Sequence, residues 1–177
     1  MAEEEVTGTE EAAAAEQPQQ QFSMQRVYLK DLSFEVPSAP SVFKQEWKPS
    51  INVDLRTTSN DLAGGNYEAV LTITITAKLG EETAFLVEVQ QAGIFFIANV
   101  EGEELRRVLA IVCPNMLFPY AREVIDNTVT RGTFPALMLA QVNFEGLFLS
   151  AMQQAEQKAG EEGESAAEAP ASDETAS

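Results

Sequence analysis

The sequence predicts an α+β domain: a four-stranded antiparallel sheet followed by helices packed on one side of it. Apolar residues recur with a period of two from Phe22 to Ile97, the spacing of strands with one buried and one wetter face. Beyond Ile97 the period lengthens to that of a helix face. Large apolar side chains are almost absent from both ends of the 177-residue chain, so the order falls in one central domain of ordinary size.

The first strand spans approximately Ser23 to Val36, and Pro37 and Pro40 end it. Ile51, Val53 and Leu55 alternate in a second strand, which stops at a Ser59–Asn66 loop containing Gly64 and Gly65. The clearest alternation is Tyr67, Ala69, Leu71, Ile73, Ile75, Ala77 and Leu79, with Glu68, Thr72, Thr74, Thr76 and Lys78 facing the other way. Gly80, Glu81 and Glu82 turn the chain, and Thr83 to Gln90 returns with Phe85, Val87 and Val89 on one face. Strands in this succession predict a meander-like sheet.

Leu105, Val108, Leu109 and Val112 mark one face of a first helix, with Glu101, Glu103 and Glu104 at the positive end of its dipole. Pro114 and Pro119 are expected to interrupt the chain. A second helix carries Ala121, Val124, Ile125, Thr128 and Val129 on one side, with Gly132 as its C-cap. A third starts near Asn143, its N-cap, and continues through Leu147, Phe148, Ala151 and Met152 to about residue 158.

Charge is distributed unevenly. The chain has 28 acidic and 11 basic residues, no histidine and a net charge of −17. Residues 1–21 hold six acids and no base, and residues 153–177 hold seven acids and one base, Lys158. Both segments are otherwise rich in Ala, Gln, Gly and Ser, which cannot bury enough surface to offset the entropy of ordering. The expected organisation is therefore a disordered acidic tail over 1–21, a folded domain over 22–152 and a second disordered acidic tail over 153–177. The tails either confer solubility or attract a basic protein partner. No basic footprint for nucleic acid is visible, and an anionic membrane surface is disfavoured for the same reason. The first 21 residues lack the basic start and apolar run of a secretory signal. No stretch approaches the ~20 apolar residues of a membrane span. A cytoplasmic location is expected.

The means for catalysis are few. Without histidine the chain has neither a Ser-His-Asp nor a Cys-His pair. Cys113, the single cysteine, can form neither an internal disulfide nor a zinc site, which fits a reducing compartment. It precedes Pro114 at a helix start, which would lower its pKa, but a lone cysteine on an apolar helix is more often core packing, the reading favoured here. The acidic residues have no metal-loop spacing, and no phosphate loop is present. No catalytic residue, metal or cofactor is assigned. Aromatic and apolar residues are more informative. The Gly93–Ile97 segment is apolar on both faces, which points to a subunit interface or a groove for apolar ligands. A protein-binding role is expected rather than an enzyme.

Four segments carry a resemblance: Gln25 to Pro37 (QRVYLKDLSFEVP), Glu88 to Phe95 (EVQQAGIF), Cys113 to Glu123 (CPNMLFPYARE), and Arg131 to Pro135 (RGTFP) with Val142 to Phe144 (VNF). In order and spacing, from about Phe22 to Met152, they resemble the SecB family of bacterial protein-export chaperones. The resemblance implies an ATP-independent cytoplasmic holdase that binds unfolded secretory precursors and delivers them to the SecA motor. It also implies a homotetramer built as a dimer of dimers, with acidic outer sheet surfaces and long client grooves. One departure is visible: Gln141 stands where the family's Ala-Pro-Val-Asn-Phe motif has proline.

Asp31, Ser33 and Glu35 alternate along strand one, so both carboxylates project from one face, and Glu88 shares a face with Leu86 on strand four. By themselves these residues read as an ordinary wet sheet face. The resemblance implies that Asp31, Glu35, Leu86 and Glu88 contact the basic, zinc-bearing tail of SecA, the zinc being the partner's own. Phe43, Trp47 and Phe134 fit either the core or the client groove, and the resemblance places the Trp47 connection over that groove. A scaffold that oligomerises through the same apolar surfaces without taking a client is the alternative from another class.

Overall fold

The computed structural model describes residues 19–154. The expected acidic tails lie almost wholly outside the described residues, as does the predicted end of the last helix at 155–158. At the near edge Gln21 is already part of a strand.

Strands β1 (Gln21–Glu35), β2 (Ser50–Asp61), β3 (Asn66–Leu79) and β4 (Glu82–Ala98) form one antiparallel sheet in the order β1-β4-β3-β2. The meander expectation holds for β2 to β4 and fails for β1, which lies against β4 in a Greek-key order. Strand β4 lies inside the sheet, paired on its two edges with β1 and β3. Strand β2, carrying Asp54, Arg56, Asn60 and Asp61, takes the edge.

One sheet face holds the core: Ala69, Leu71, Ile73, Ile75 and Ala77 of β3 stand beside Phe85, Val87, Val89 and Phe95 of β4, all buried. Strand β1 contributes Phe22, Met24, Val27, Leu29, Leu32 and Phe34 to the same face, at spacings that are not uniformly two. Register shifts between Met24 and Arg26 and between Leu29 and Asp31 absorb the extra residues as bulges at Gln25 and Lys30.

Helix α1 (Gly102–Arg107) passes through a π turn (Val108–Val112) into α2 (Cys113–Arg131), so residues Gly102–Arg131 form one continuous helical run. The expected interruption at Pro114 and Pro119 does not occur. Pro114 sits in the first turn of α2, directly after the π turn, where its missing N–H costs little, and Pro119 is carried inside the helix. The wide turn also shifts the phase of the predicted apolar face: Leu105, Val108, Leu109 and Ile111 pack on the core, whereas Val112 is exposed. By length and composition this run would pass for a membrane span, contrary to the sequence expectation. In the fold Leu117, Ala121, Ile125 and Val129 bury one side of it against the sheet. Gly93 permits the close approach, since a Cβ there would meet Leu117 at 3.0 Å and the Phe95 ring at 2.9 Å.

Gly132 caps α2 as expected, its N–H donating to the Thr128 carbonyl. After it, a connector leads to α3 (residues 144–154). Asn143 caps that helix: its Oδ1 accepts the Gly146 N–H at 3.0 Å.

Candidate functional site

The candidate residues form two surfaces on opposite sides of the sheet. The first is the face away from the helices. Because β1 and β4 are in register, Glu35 stands opposite Leu86, Ser33 opposite Glu88 and Asp31 opposite Gln90. Asp31, Glu35, Leu86 and Glu88 therefore share one outer face: alternation pairs Asp31 with Glu35 and Leu86 with Glu88, and the β1–β4 register brings the two pairs together. Asp31 and Glu35 are exposed, and Leu86 and Glu88 are half-buried. The Thr74 hydroxyl donates to Glu88 at 3.0 Å and holds its carboxylate over the sheet. Asp54, Arg56, Thr72, Thr74, Glu88 and Gln90 surround a hollow of about 480 Å³ on this face.

Beside that hollow lies Glu68, a residue periodicity marks only as outward-facing. Its side chain receives hydrogen bonds from Lys30 at 2.8 and 2.9 Å, from Asn60 at 3.0 Å and from the Tyr28 hydroxyl. The Lys30 ammonium foremost, then the Tyr28 hydroxyl, hold the Glu68 carboxyl down to about 2 against the opposing effect of burial. The same hydrogen bond is the main reason that the Tyr28 phenol is pushed up to about 12.

The second surface belongs to the helix side. The connector between β1 and β2 includes a 3-10 turn (Ser41–Lys44) and then Trp47. It lays Phe43 on Phe134 with ring centroids 5.3 Å apart, and Trp47 also on Phe134 at 5.3 Å. Phe134 in turn packs on Phe85 at 4.9 Å, and Phe85 on Phe34 at 5.9 Å. The structure thus joins Phe43, Trp47 and Phe134 into one aromatic strip and adds Phe34 and Phe85, which sequence reasoning placed only as strand residues. The core and groove readings of the three divide by position. Phe134 is 5% exposed and Phe85 fully buried, Trp47 is half-buried, and Phe43 is 51% exposed. The strip has a core at one end and an open surface at the other.

Along the connector to α3, Val53, Leu55, Phe118, Leu139, Gln141 and Val142 line an apolar hollow of about 260 Å³. Gln141, at the family's proline position, is exposed at its rim. The Asp126 carboxylate fixes this connector by accepting the N–H groups of Leu137 and Met138, both at 3.1 Å.

Cys113 follows the favoured packing expectation, not the lowered-pKa alternative. It is fully buried inside the continuous helical run rather than at a helix start, and burial pushes its thiol up to about 12 instead of down. It is a packing residue. Among the described residues no group of three or more Cys, Asp or Glu side chains is placed to hold a metal.

Much apolar surface on the helix side of the sheet is left open, because α2 covers only its centre. Phe22, Leu29 and Leu32 of β1 and Ile51 and Val53 of β2 are exposed.

The family described as Preprotein translocase subunit SecB matches residues 15–155. The protein-export protein SecB of Pseudomonas putida is 54% identical over 149 residues, covering 84% of this chain and 92% of that protein. The protein-export protein SecB of Ectopseudomonas mendocina is 53% identical over 146 residues, 82% and 91% of the two chains. That of Marinobacter nauticus is 50% identical over 143 residues, 81% and 87%. Among solved structures, the SecB-like chaperone Rv1957 of Mycobacterium tuberculosis, in complex with a ChAD peptide from the Rv1956 HigA1 antitoxin, superposes with a TM-score of 0.59. It shares 15% identity over 69% of this chain and 91% of that one, a likeness of fold.

Proposed function

The chain belongs to the SecB family of protein-export chaperones, and from that premise we propose that it is an ATP-independent cytoplasmic holdase. It binds unfolded secretory precursors and passes them to SecA, working as a homotetramer arranged as a dimer of dimers. It acts as a passive binder rather than an enzyme, without a cofactor, and neither binds nucleic acid nor inserts into the membrane. The observation that carries this reading is the aromatic strip from buried Phe85 to exposed Phe43. Rings anchored at one end and open at the other offer contact area at low entropy cost, without demanding one client shape.

Phe43, Trp47 and Phe134 are the client residues of this reading, and Asp31, Glu35, Leu86 and Glu88 are the SecA residues. The separation of the two sets on opposite faces supports distinct sites for cargo and motor. Uncovered Leu29, Leu32, Ile51 and Val53 support assembly, since open apolar surface of this kind marks a protein contact. The expected domain division, with tails over 1–21 and 153–177 outside a chaperone domain of 22–152, is kept as part of the proposal.

The test is paired. Light scattering should give about four times the mass of one chain, as closed cyclic or dihedral assembly of this kind requires. The parent should suppress aggregation of a denatured precursor. Glu88→Lys and Asp31→Lys should weaken SecA binding, more at low salt than at high, and leave aggregation suppression intact. A monomer at micromolar concentration, or joint loss of both functions in an intact tetramer, would overturn the reading.

A further inference from the structure

Among the described residues the structure buries only two polar or charged side chains, Glu68 at 8% exposure and Gln91 at 3%. Burying such groups is costly unless hydrogen bonds compensate, and both bond to the same short stretch of β1. Gln91 lies on the helix side and donates through Nε2 to the Tyr28 carbonyl at 2.9 Å. Glu68 lies on the outer side and accepts from the Tyr28 hydroxyl and from Lys30. The stretch they grip from opposite faces is the β1 bulge, where Leu29 pairs with Gln91, Asp31 pairs with Gln90, and Lys30 is the extra residue. Ala92, the small residue opposite Tyr28 on β4, leaves room for Tyr28 and Lys30 to reach across to Glu68 on β3.

The bulge sets which way the acidic residues face. In an uninterrupted register Lys30 would stand opposite Gln90 and Asp31 opposite Val89, sending Asp31, Ser33 and Glu35 into the core and Leu32 and Phe34 into water. One extra residue at position 30 reverses that parity. We infer that Glu68 and Gln91 are positioning residues: together they clamp the Lys30 bulge and so hold Asp31 and Glu35 on the outer face beside Leu86 and Glu88, in the geometry that SecA binds. This rests on the assignment of that face to SecA.

Charge and positioning make opposite forecasts for one substitution, which makes the idea testable. Lys30→Met removes a positive charge next to a face that takes a basic segment, so simple electrostatics forecasts tighter SecA binding. The clamp forecasts weaker binding, because the bulge loses its tie to Glu68. SecA affinity, precursor capture and oligomeric mass are to be compared for the parent, Lys30→Met, Lys30→Arg, Gln91→Met and Asp31→Lys in the full-length chain. The expected result is a roughly tenfold loss of SecA affinity in Lys30→Met and Gln91→Met. Lys30→Arg should stay near the parent, and capture and mass should be unchanged throughout. If Asp31→Lys binds SecA like the parent, the face is not the SecA site and the underlying assignment fails. If Asp31→Lys is impaired but Lys30→Met binds equally or more tightly, the assignment stands and the clamp is overturned. Equal loss of capture and SecA binding would likewise overturn it, leaving only a general stabilising role. Should Gln91→Met fail to assemble, Tyr28→Phe, which keeps the ring and removes one donor to Glu68, replaces it; parental SecA affinity in that variant also overturns the clamp.

Discussion

A Cβ on Gly132 would lie 2.5 Å from Cζ and 2.6 Å from Cε1 of the Phe34 ring, so the end of α2 meets β1 only because position 132 has no side chain. The Phe34 ring also packs on Phe85, which limits how far it can yield. Gly132→Ala should therefore cost about 1–3 kcal/mol through overpacking. A Phe34→Leu change in the same background should recover part of it. Denaturant midpoints at a fixed protomer concentration check both. An unchanged midpoint in Gly132→Ala would mean that the contact relaxes freely.

The two hydrogen bonds from Leu137 and Met138 to Asp126 hold the connector over the hollow lined by Leu139 and Val142. Met138 has a left-handed φ of 49°, a conformation that a side-chain-bearing residue keeps only when its surroundings impose it. Asp126→Ala should raise the hydrogen-exchange rates of both amides and cost about 1–2 kcal/mol of stability. The amides within β3 and β4 should stay protected. Exchange at Leu137 and Met138 that matches the parent would show the connector is fixed by packing alone.

Period-two alternation is enough to locate β2, β3 and β4, because in these strands one face is buried and the other wetter without interruption. It does not reveal the sheet order, since the pairing of β1 with β4 is made across some sixty positions of sequence. The bulges are partly legible in hindsight: Phe22, Met24, Val27, Leu29, Leu32 and Phe34 alternate gaps of two and three, and a gap of three in a one-sided strand needs an extra residue. Proline misleads at 114 because the π turn just before it changes which backbone groups need partners, and at 119 because α2 carries the proline in its interior. Of the candidate sites, alternation pairs Asp31 with Glu35 and Leu86 with Glu88, but the two pairs meet on one outer face only through the β1–β4 pairing and the Lys30 bulge. The aromatic strip does not follow from alternation, because Phe43, Trp47, Phe85 and Phe134 come from three separate segments and meet only in the fold.

Position along the aromatic strip should separate packing from precursor binding. Phe134→Ala empties a buried site and should cost about 3–5 kcal/mol of stability. Phe43→Ala removes a ring that is 51% exposed, so its stability cost should be below about 1 kcal/mol. Precursor affinity should nevertheless fall several-fold in Phe43→Ala and further in Trp47→Ala. Melting curves and precursor titrations on the same samples give the comparison. Parental precursor affinity in both Phe43→Ala and Trp47→Ala would make the strip a structural feature only.

Glu68 provides a signature that depends on pH. Its carboxyl is held at about 2, compared with an ordinary 4.5, chiefly by the Lys30 ammonium and next by the Tyr28 hydroxyl. A carboxylate whose pKa is depressed by folding contributes stability that is fully present above its unfolded value and is lost as pH falls through the folded value. The contribution should thus be complete above about 4.5 and disappear towards 2. Lys30 is 40% exposed while Glu68 is 11% exposed at the side chain, so solvent weakens the pair from one side. A loss of about 1–2 kcal/mol is expected for Glu68→Gln at neutral pH. Glu68→Gln cannot titrate there, so the stability gap between it and the parent should be constant from pH 7 to about 5 and narrow below 4.5. Chemical denaturation at matched protomer concentrations across that range measures the gap. A gap that stays constant down to pH 2.5 would show that the Glu68 carboxylate is not held by the charge of Lys30, and that neutral hydrogen bonds alone account for its burial.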